Sequence, residues 1–233
     1  MRLTKILLPC LWVVLFGCGK EHTLAPQTPS QKFGSLSSQV DSRVLNLPLD
    51  IQYNVITNPN PANLKALVTA LVGTGLPPMK IAKILHDWIV SNVLYPVDYI
   101  NTQIYPTTDP YQVLASGRGE CCGYTSLFYT MAKMAGLRVA GVTGAPANLH
   151  IWNAVYDNNQ WNQVDVTWDA GFVTGNSPQY IYSTTYFYIS AAQMATVNEH
   201  APFQSNGSYN YDETLNFSQD SCGLDGVYDE HRP

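Results

Sequence analysis

The sequence predicts an α+β domain in which helices come first and an antiparallel sheet follows. Helical periodicity dominates from Pro61 to Val93 and returns after Cys121. Runs rich in Val, Tyr, Trp and Thr then succeed one another from Leu137 to Ile189, with Asp157-Asn158-Asn159-Gln160 as a turn between two of them. A doubly wound sheet would instead alternate strands and helices throughout.

Taken in order, residues 1–17 read as a signal sequence. Arg2 and Lys5 give it a positive start, and Ile6 to Phe16 is apolar but too short to span a bilayer, which needs about 20 residues. Leu15-Phe16-Gly17-Cys18 resembles a bacterial lipobox, so Cys18 is the expected lipidation site. The expected location is then outside the cytoplasm, lipid-anchored to a bacterial membrane. Gly19 and Lys20 lack an aspartate-type inner-membrane retention signal, which favours the outer membrane or the cell surface. An ordinary secreted protein and an uncleaved anchor are the alternatives. Residues 18–46, rich in Ser, Gln, Thr and Pro, read as a flexible tether. The folded domain is expected over 47–203 and a polar C-terminal extension over 204–233.

Pro61 to Val72 reads as a short helix stopped by Gly73 and Gly75. Met79 to Val93 is a stronger one, with Ile81, Ile84, Leu85, Trp88 and Ile89 on one face. A Tyr/Pro/Thr/Asp stretch reaches Pro110, and Tyr111 to Ser116 supplies another helical turn or so. After Cys121, Tyr124, Leu127, Phe128, Met131, Ala132 and Ala135 form an apolar face that Gly136 closes. Strands are expected over Leu137–Val142, His150–Tyr156, Trp161–Trp168 and Thr184–Ile189, and a short helix over Ala191–His200.

Hydrophobic residues make up 45% of the 233 residues and charged ones 12%, so the chain can fill a core but offers little charge. Its formal charge of −5 excludes an electrostatic footprint for nucleic acid. Of five cysteines, Cys10 leaves with the signal and Cys18 carries lipid; Cys121, Cys122 and Cys222 remain. An odd count in an exported protein leaves a thiol to explain.

Arg118-Gly119-Glu120-Cys121-Cys122-Gly123-Tyr124 places Cys121 where a glycine-rich loop enters a helix. Unpaired backbone N–H groups and the dipole at a helix start favour a thiolate, and the same groups can hold an oxyanion. At this point a buried core cysteine explains the position equally well. The hairpin adds weight. If Tyr156 pairs with Trp161, even positions from 150 to 156 share a face with odd positions from 161 to 167, which puts His150 diagonal to Asp165. A slip of one residue would separate them. An imidazole oriented by a carboxylate is what a thiol nucleophile needs as its base.

Three blocks now resemble the transglutaminase-like superfamily: Gly119-Glu120-Cys121-Cys122-Gly123-Tyr124, Leu149-His150-Ile151-Trp152-Asn153-Ala154-Val155, and Trp161-Asn162-Gln163-Val164-Asp165-Val166-Thr167-Trp168-Asp169. The superfamily pattern is Cys-x-Gly-Tyr, His-x-Trp-Asn and Trp-x-x-x-Asp-x-Thr-Trp, which selects Cys121 over Cys122. The resemblance extends over about Asn63 to Phe203. It implies a papain-like core, a cysteine helix packed on an antiparallel sheet, and catalytic roles for Cys121, His150 and Asp165. The implied function is cysteine-dependent acyl transfer at an amide through a thioester, with a peptide or protein as substrate and no cofactor or metal. Peptide hydrolysis at the cell envelope leads; cross-linking to an amine, and a binding module that keeps the fold without turnover, are the alternatives.

Cys122 departs from the pattern. It reads as core filler, as a disulfide partner of Cys222, or as a redox modulator of its neighbour. His86-Asp87 reads as a solvated helix feature or a structural hydrogen bond, His200 as structural, and Trp152, Trp161 and Trp168 as packing. A side-chain oxyanion donor is expected upstream, with Gln103 and Tyr105 as candidates. The third glycine of a dinucleotide loop is absent, as are Cys-x-x-Cys and His-Glu-x-x-His spacings and any acidic calcium loop.

Overall fold

The computed structural model describes residues 29–98, 107–144, 150–197, 200–202 and 207–215. Residues 1–17, Cys18, Gln103, Tyr105 and Cys222 lie outside these, so the expectations for the signal, the lipidation site and the upstream oxyanion donor fall outside them too.

The expected helices form nearly where the sequence put them. Short turns open the described chain: α1 (Pro29–Phe33), a 3-10 turn (Gly34–Gln39), α2 (Ser42–Leu45) and α3 (Leu49–Thr57). Then come α4 (Pro61–Val72) and α5 (Pro78–Asn92), each with proline in its first turn, where the missing N–H costs nothing. Strand β1 (Tyr95–Pro96) precedes α6 (Pro110–Ser116) and the cysteine helix α7 (Cys121–Met134), after which Gly136 takes a φ of 82°. The tether expected over 18–46 is corrected from residue 29 onward. Phe33, Val40 and Val44 enter the main core, and Arg43 donates to the Val72 carbonyl at 2.6 Å.

Five strands form the main sheet in the order β7 (Phe187–Ser190), β4 (Gln160–Val164), β3 (His150–Asp157), β2 (Val139–Gly144) and β8 (Tyr211–Asp212), all antiparallel. A smaller sheet orders β1, β5 (Ala170–Thr174) and β6 (Ser177–Tyr182), with β1 parallel to β5. The α+β expectation is met, with the cysteine helix against the sheet: the Thr125 hydroxyl on α7 donates to the Ile151 carbonyl of β3 at 3.0 Å. Strand β8 lies in the expected C-terminal extension, so that part of it is sheet. Leu215 follows it and packs over Gly141, where an added Cβ would stand 1.9 Å from the leucine Cδ1.

Both faces of β2 and β3 are covered, and β3 is buried without a break from His150 to Val155. The helical face joins Leu64, Leu67, Ile84, Leu85, Leu127 and Phe128 into the main core. The other face carries Val142, Trp152, Ala154, Met194 and Tyr209. The β3–β4 register pairs Tyr156 with Trp161 as expected. The connecting turn is tighter than expected, only Asn158 and Asn159, with φ of 51° and 62°. Two positive φ values in a two-residue loop match the twist of the strands it joins.

One expected element changes type. The strand expected to reach Trp168 stops at Val164, and Val166–Asp169 forms a helical turn, α8. Asp165 starts it: its side chain accepts from the backbone N–H groups of Thr167 and Trp168. His150 therefore does not oppose Thr167 across a continuing ladder. Asp165 sits where strand turns into helix.

Candidate active site

The Cys121 position is built from the start of α7. Glu120 precedes it in extended conformation, with no side-chain cap on the helix, and the first helical bond runs from the Tyr124 N–H to the Glu120 carbonyl at 2.9 Å. The first N–H groups of the helix thus lack an intrahelical acceptor, leaving a ready site for an oxyanion beside the thiol. Gly123 lets other parts of the protein approach closely: an added Cβ would meet Val113 Cγ2 at 3.0 Å and the Thr107 carbonyl oxygen at 3.1 Å.

Cys121 is a free, partly exposed thiol. Cys122 is buried and disulfide-bonded, which favours the disulfide reading over core filler. Its sulfur lies 3.9 Å from that of Cys121.

His150, the first residue of β3, is buried between Trp152, stacked at 5.6 Å, and Trp168, at 6.1 Å. Its Nε2 lies 2.5 Å from Asp165 Oδ2. That leaves Nδ1 unused by Asp165, and Cys121 is among the groups that favour the charged ring. Burial works against charging this imidazole. The Asp165 charge and hydrogen bond, with a further contribution from Cys121, outweigh burial and raise its pKa above the ordinary value.

Asp165 is fully buried. Burial pushes its carboxyl up, but His150 and then His200 more than reverse this and hold it below the usual carboxylate range. Its Oδ1 accepts from the Thr167 N–H at 2.9 Å and the Trp168 N–H at 3.3 Å. Its own N–H donates to the Tyr186 carbonyl at 3.0 Å. The arrangement can stabilise a thiolate–imidazolium pair and pass a proton to a leaving amine. All three expected residues meet here.

The sequence reading missed the part played by His200. It is fully buried, 35 positions from Asp165, and its Nε2 lies 2.7 Å from the same Oδ2 that His150 uses. No local pattern signals this contact. Among the described residues, His150, Asp165 and His200 are the one group whose ligand atoms, within 4.8 Å of one another, fit a metal ion. Those atoms are engaged with one another through hydrogen bonds.

A second buried His–Asp assembly lies beneath. His86 is fully buried on α5; its Nδ1 stands 3.0 Å from Asp87 and its Nε2 3.2 Å from Asp169. The solvated-helix alternative for this pair is thereby excluded, and the structural hydrogen bond is what forms.

Residues 65–166 match the family model described as the transglutaminase-like superfamily, a span that contains Cys121, His150 and Asp165. The chain is 22% identical over 206 residues to kyphoscoliosis peptidase of Mus musculus, covering 80% of this chain and 31% of that protein. It is 24% identical over 171 residues to kyphoscoliosis peptidase of Homo sapiens, covering 68% and 26%. It therefore spans less than a third of the length of either relative. A crystal structure described as that of a TGase aligns at 20% identity and a TM-score of 0.39, over 70% of this chain and 48% of that one. The match over residues 65–166 holds the cysteine, histidine and aspartate in order, so this stretch of the chain is similar to the transglutaminase-like superfamily.

Proposed function

We propose that this protein is a cysteine-dependent acyl-transfer enzyme that hydrolyses peptide amides through a thioester on Cys121. The observation that carries this reading is His150, tied through one ring nitrogen to buried Asp165, with free Cys121 among the groups that favour its charged form. The Cys121 thiolate attacks the amide carbonyl carbon, and the carbonyl oxygen takes the negative charge beside the N–H groups at the start of α7. As the C–N bond breaks, the His150 imidazolium gives its proton to the leaving amine, leaving a thioester and a neutral imidazole. Water then attacks the thioester carbonyl, His150 takes its proton, and the acid departs as the thiolate–imidazolium pair re-forms. An amine in place of water would yield a cross-link.

The site is proposed to work on peptides of the cell envelope, with the chain exported and held by lipid on Cys18. The sequence of residues 1–18 and the disulfide at Cys122 support export, since disulfides persist in oxidising compartments. No helix among the described residues is long and apolar enough to cross a membrane.

The test is trapping of the acyl-enzyme with envelope peptides, with and without added amine. A thioester that Cys121→Ala cannot form is expected, and its absence from the wild type would overturn the reading. Amide products from added amine would replace hydrolysis with cross-linking.

A further inference from the structure

His200 is not used by the mechanism above, yet it shares a single carboxylate oxygen with the base. Two imidazoles converge on Asp165 Oδ2, His150 at 2.5 Å and His200 at 2.7 Å. An ionised carboxylate only accepts hydrogen bonds, so each ring must present Nε2–H to it. For His200 this commits Nε2 and leaves Nδ1. That atom is buried without a hydrogen-bond partner, within a box formed by the rings of Trp152, Trp168, Tyr186 and His150. The ring is held hard in place. Tyr186 stacks on it at 5.4 Å with an interplanar angle of 11°, both tryptophans stand at 4.8 Å, and the Tyr209 hydroxyl donates to its carbonyl at 2.5 Å.

Packing alone does not require a histidine here, since a phenyl ring would fill the same aromatic box. What the imidazole adds is one donor to a carboxylate that already has three others. Two of those, the Thr167 and Trp168 N–H groups, fix Oδ1 and so fix the carboxylate's orientation. The fourth donor therefore changes mainly the charge that Oδ2 presents to His150.

We propose that His200 is a positioning residue that acts through Asp165: by donating to Oδ2 it spreads the carboxylate charge over two imidazoles and keeps the His150 imidazolium acidic enough to protonate a leaving amine. Without that donor the carboxylate would bind the His150 proton more tightly, and general-acid transfer would slow. The other titratable groups facing the pair are Cys121 and Tyr124 on α7, Tyr186 ahead of β7, and Tyr209. Burial keeps the Tyr124 hydroxyl well above its ordinary value, and burial likewise pushes Tyr209 up to about 12, so neither ionises in the range of interest.

This inference rests on the proposed acyl-transfer site, and its test separates the two. Trapping of the wild-type acyl-enzyme on Cys121 comes first, and its absence would count against the acyl-transfer reading alone. With the acyl-enzyme present, His200→Phe is expected to move the alkaline limb of kcat on an amide, where the His150 proton is lost, upward by about one pH unit. Its kcat on an amide should fall about tenfold, while kcat on a thioester of the same acyl group stays near wild type, because a thiolate leaves without needing a proton. In His200→Gln the side-chain amide can donate to Oδ2, and both properties should return. Wild-type limbs and an unchanged amide-to-thioester ratio in His200→Phe would reduce His200 to packing, and a downward shift would reverse the charge-sharing argument. Nitrogen NMR of histidine-labelled wild type tests the same point without a variant. His200 must carry its proton on Nε2, and a proton found on Nδ1 would overturn the proposal.

Discussion

The described residues contain two buried assemblies of the same chemistry, and only one of them lies beside a free thiol. In the upper one, His150 uses one nitrogen for Asp165 and leaves the other unused by it, with Cys121 among the groups that favour its charge. In the lower one, both nitrogens of His86 are taken by carboxylates, Asp87 at 3.0 Å and Asp169 at 3.2 Å. Asp87 is fully subscribed as well: it accepts from the Asp41 N–H at 2.8 Å, from Lys83 at 2.5 Å and from the Tyr182 hydroxyl at 3.0 Å. Burial opposes the charge on His86, but hydrogen bonds and charge from Asp169 and Asp87 raise its pKa overall, as Asp165 does for His150. A histidine beside an aspartate, or a perturbed ionisation, therefore does not mark a catalytic pair. The difference lies in whether one ring nitrogen remains for a reacting group.

The two assemblies are joined by one short turn. Asp165 caps α8 at its start and Asp169 ends it. Tyr186 links both, accepting from the Asp165 N–H and donating to Asp169 at 3.2 Å. The lower assembly holds the floor on which the upper one stands, so substitutions should divide cleanly between activity and stability.

The largest expected effect tests the upper assembly. Asp165→Asn keeps the volume but leaves the amide able to donate towards His150, which turns the imidazole the wrong way round. Activity should fall by about 10⁴, the scale of the same change in a serine-protease triad. Residual activity within about tenfold of wild type would mean that Asp165 acts chiefly as the cap of α8.

The lower assembly should respond in the opposite sense. His86→Leu strands two carboxylates in the interior, and breaking a buried pair costs about 3–5 kcal/mol. For a chain of this size that corresponds to a drop in Tm of roughly 10 °C. Activity per folded molecule should change little. A pH signature accompanies it. Because the folded-state pKa of His86 is raised, the stability it supplies is fully present below the unfolded value of about 6.5 and is lost as pH rises through the folded value. The depressed Asp87 carboxyl contributes in the mirrored way, fully above about 3.9 and less as pH falls below it. Wild-type Tm should therefore decline on the alkaline side of 6.5, and His86→Leu should flatten that decline. An equal alkaline decline in both proteins would remove His86 as its source.

How much of this was legible in the sequence depends on how local each feature is. The His150–Asp165 relation followed from period-two parity and a turn, and the Trp152 indole donating to Gln163 across the same face at 2.7 Å bears that parity out. Helix α4 was legible to the residue because a proline opens it and a glycine closes it. The turn at α8 was not, since a run of Val, Thr and Trp looks like strand and only the Asp165 cap decides otherwise. Strands β5 and β6 were passed over although Gly175-Asn176 between them is a readable hairpin signal. The helical turns before residue 46 depend on distant partners: Asp41 bonds to Asp87 and Lys80, and the Phe33 ring meets Tyr182 at 5.6 Å. Composition alone made them look like a tether. His200 belongs to the same class, a long-range contact without a local signature.

The smallest effect sharpens the comparison from the side of a carboxyl that is buried without partners. Glu120 stands directly before the nucleophile, and its Oε1 is buried with no hydrogen-bond partner. Burial pushes its pKa up to about 7, opposite to Asp165 and Asp87, which have donors to hold their charge. The folded chain thus keeps this proton to higher pH than the unfolded chain, which releases it near 4.3. Stability must fall as pH rises from about 4.3 to 7 and stay reduced above that. Glu120→Gln removes the burdened charge, so Tm should rise at pH 8 by a few degrees, about 1 kcal/mol once solvent screening of this partly exposed group is allowed for. At pH 4, where wild type is already protonated in both states, the variant should melt with wild type. Thermal melts at the two pH values decide it. An equal gain at both would trace the effect to packing, and a loss at pH 8 would mean that the carboxylate has a partner at the start of α7 after all.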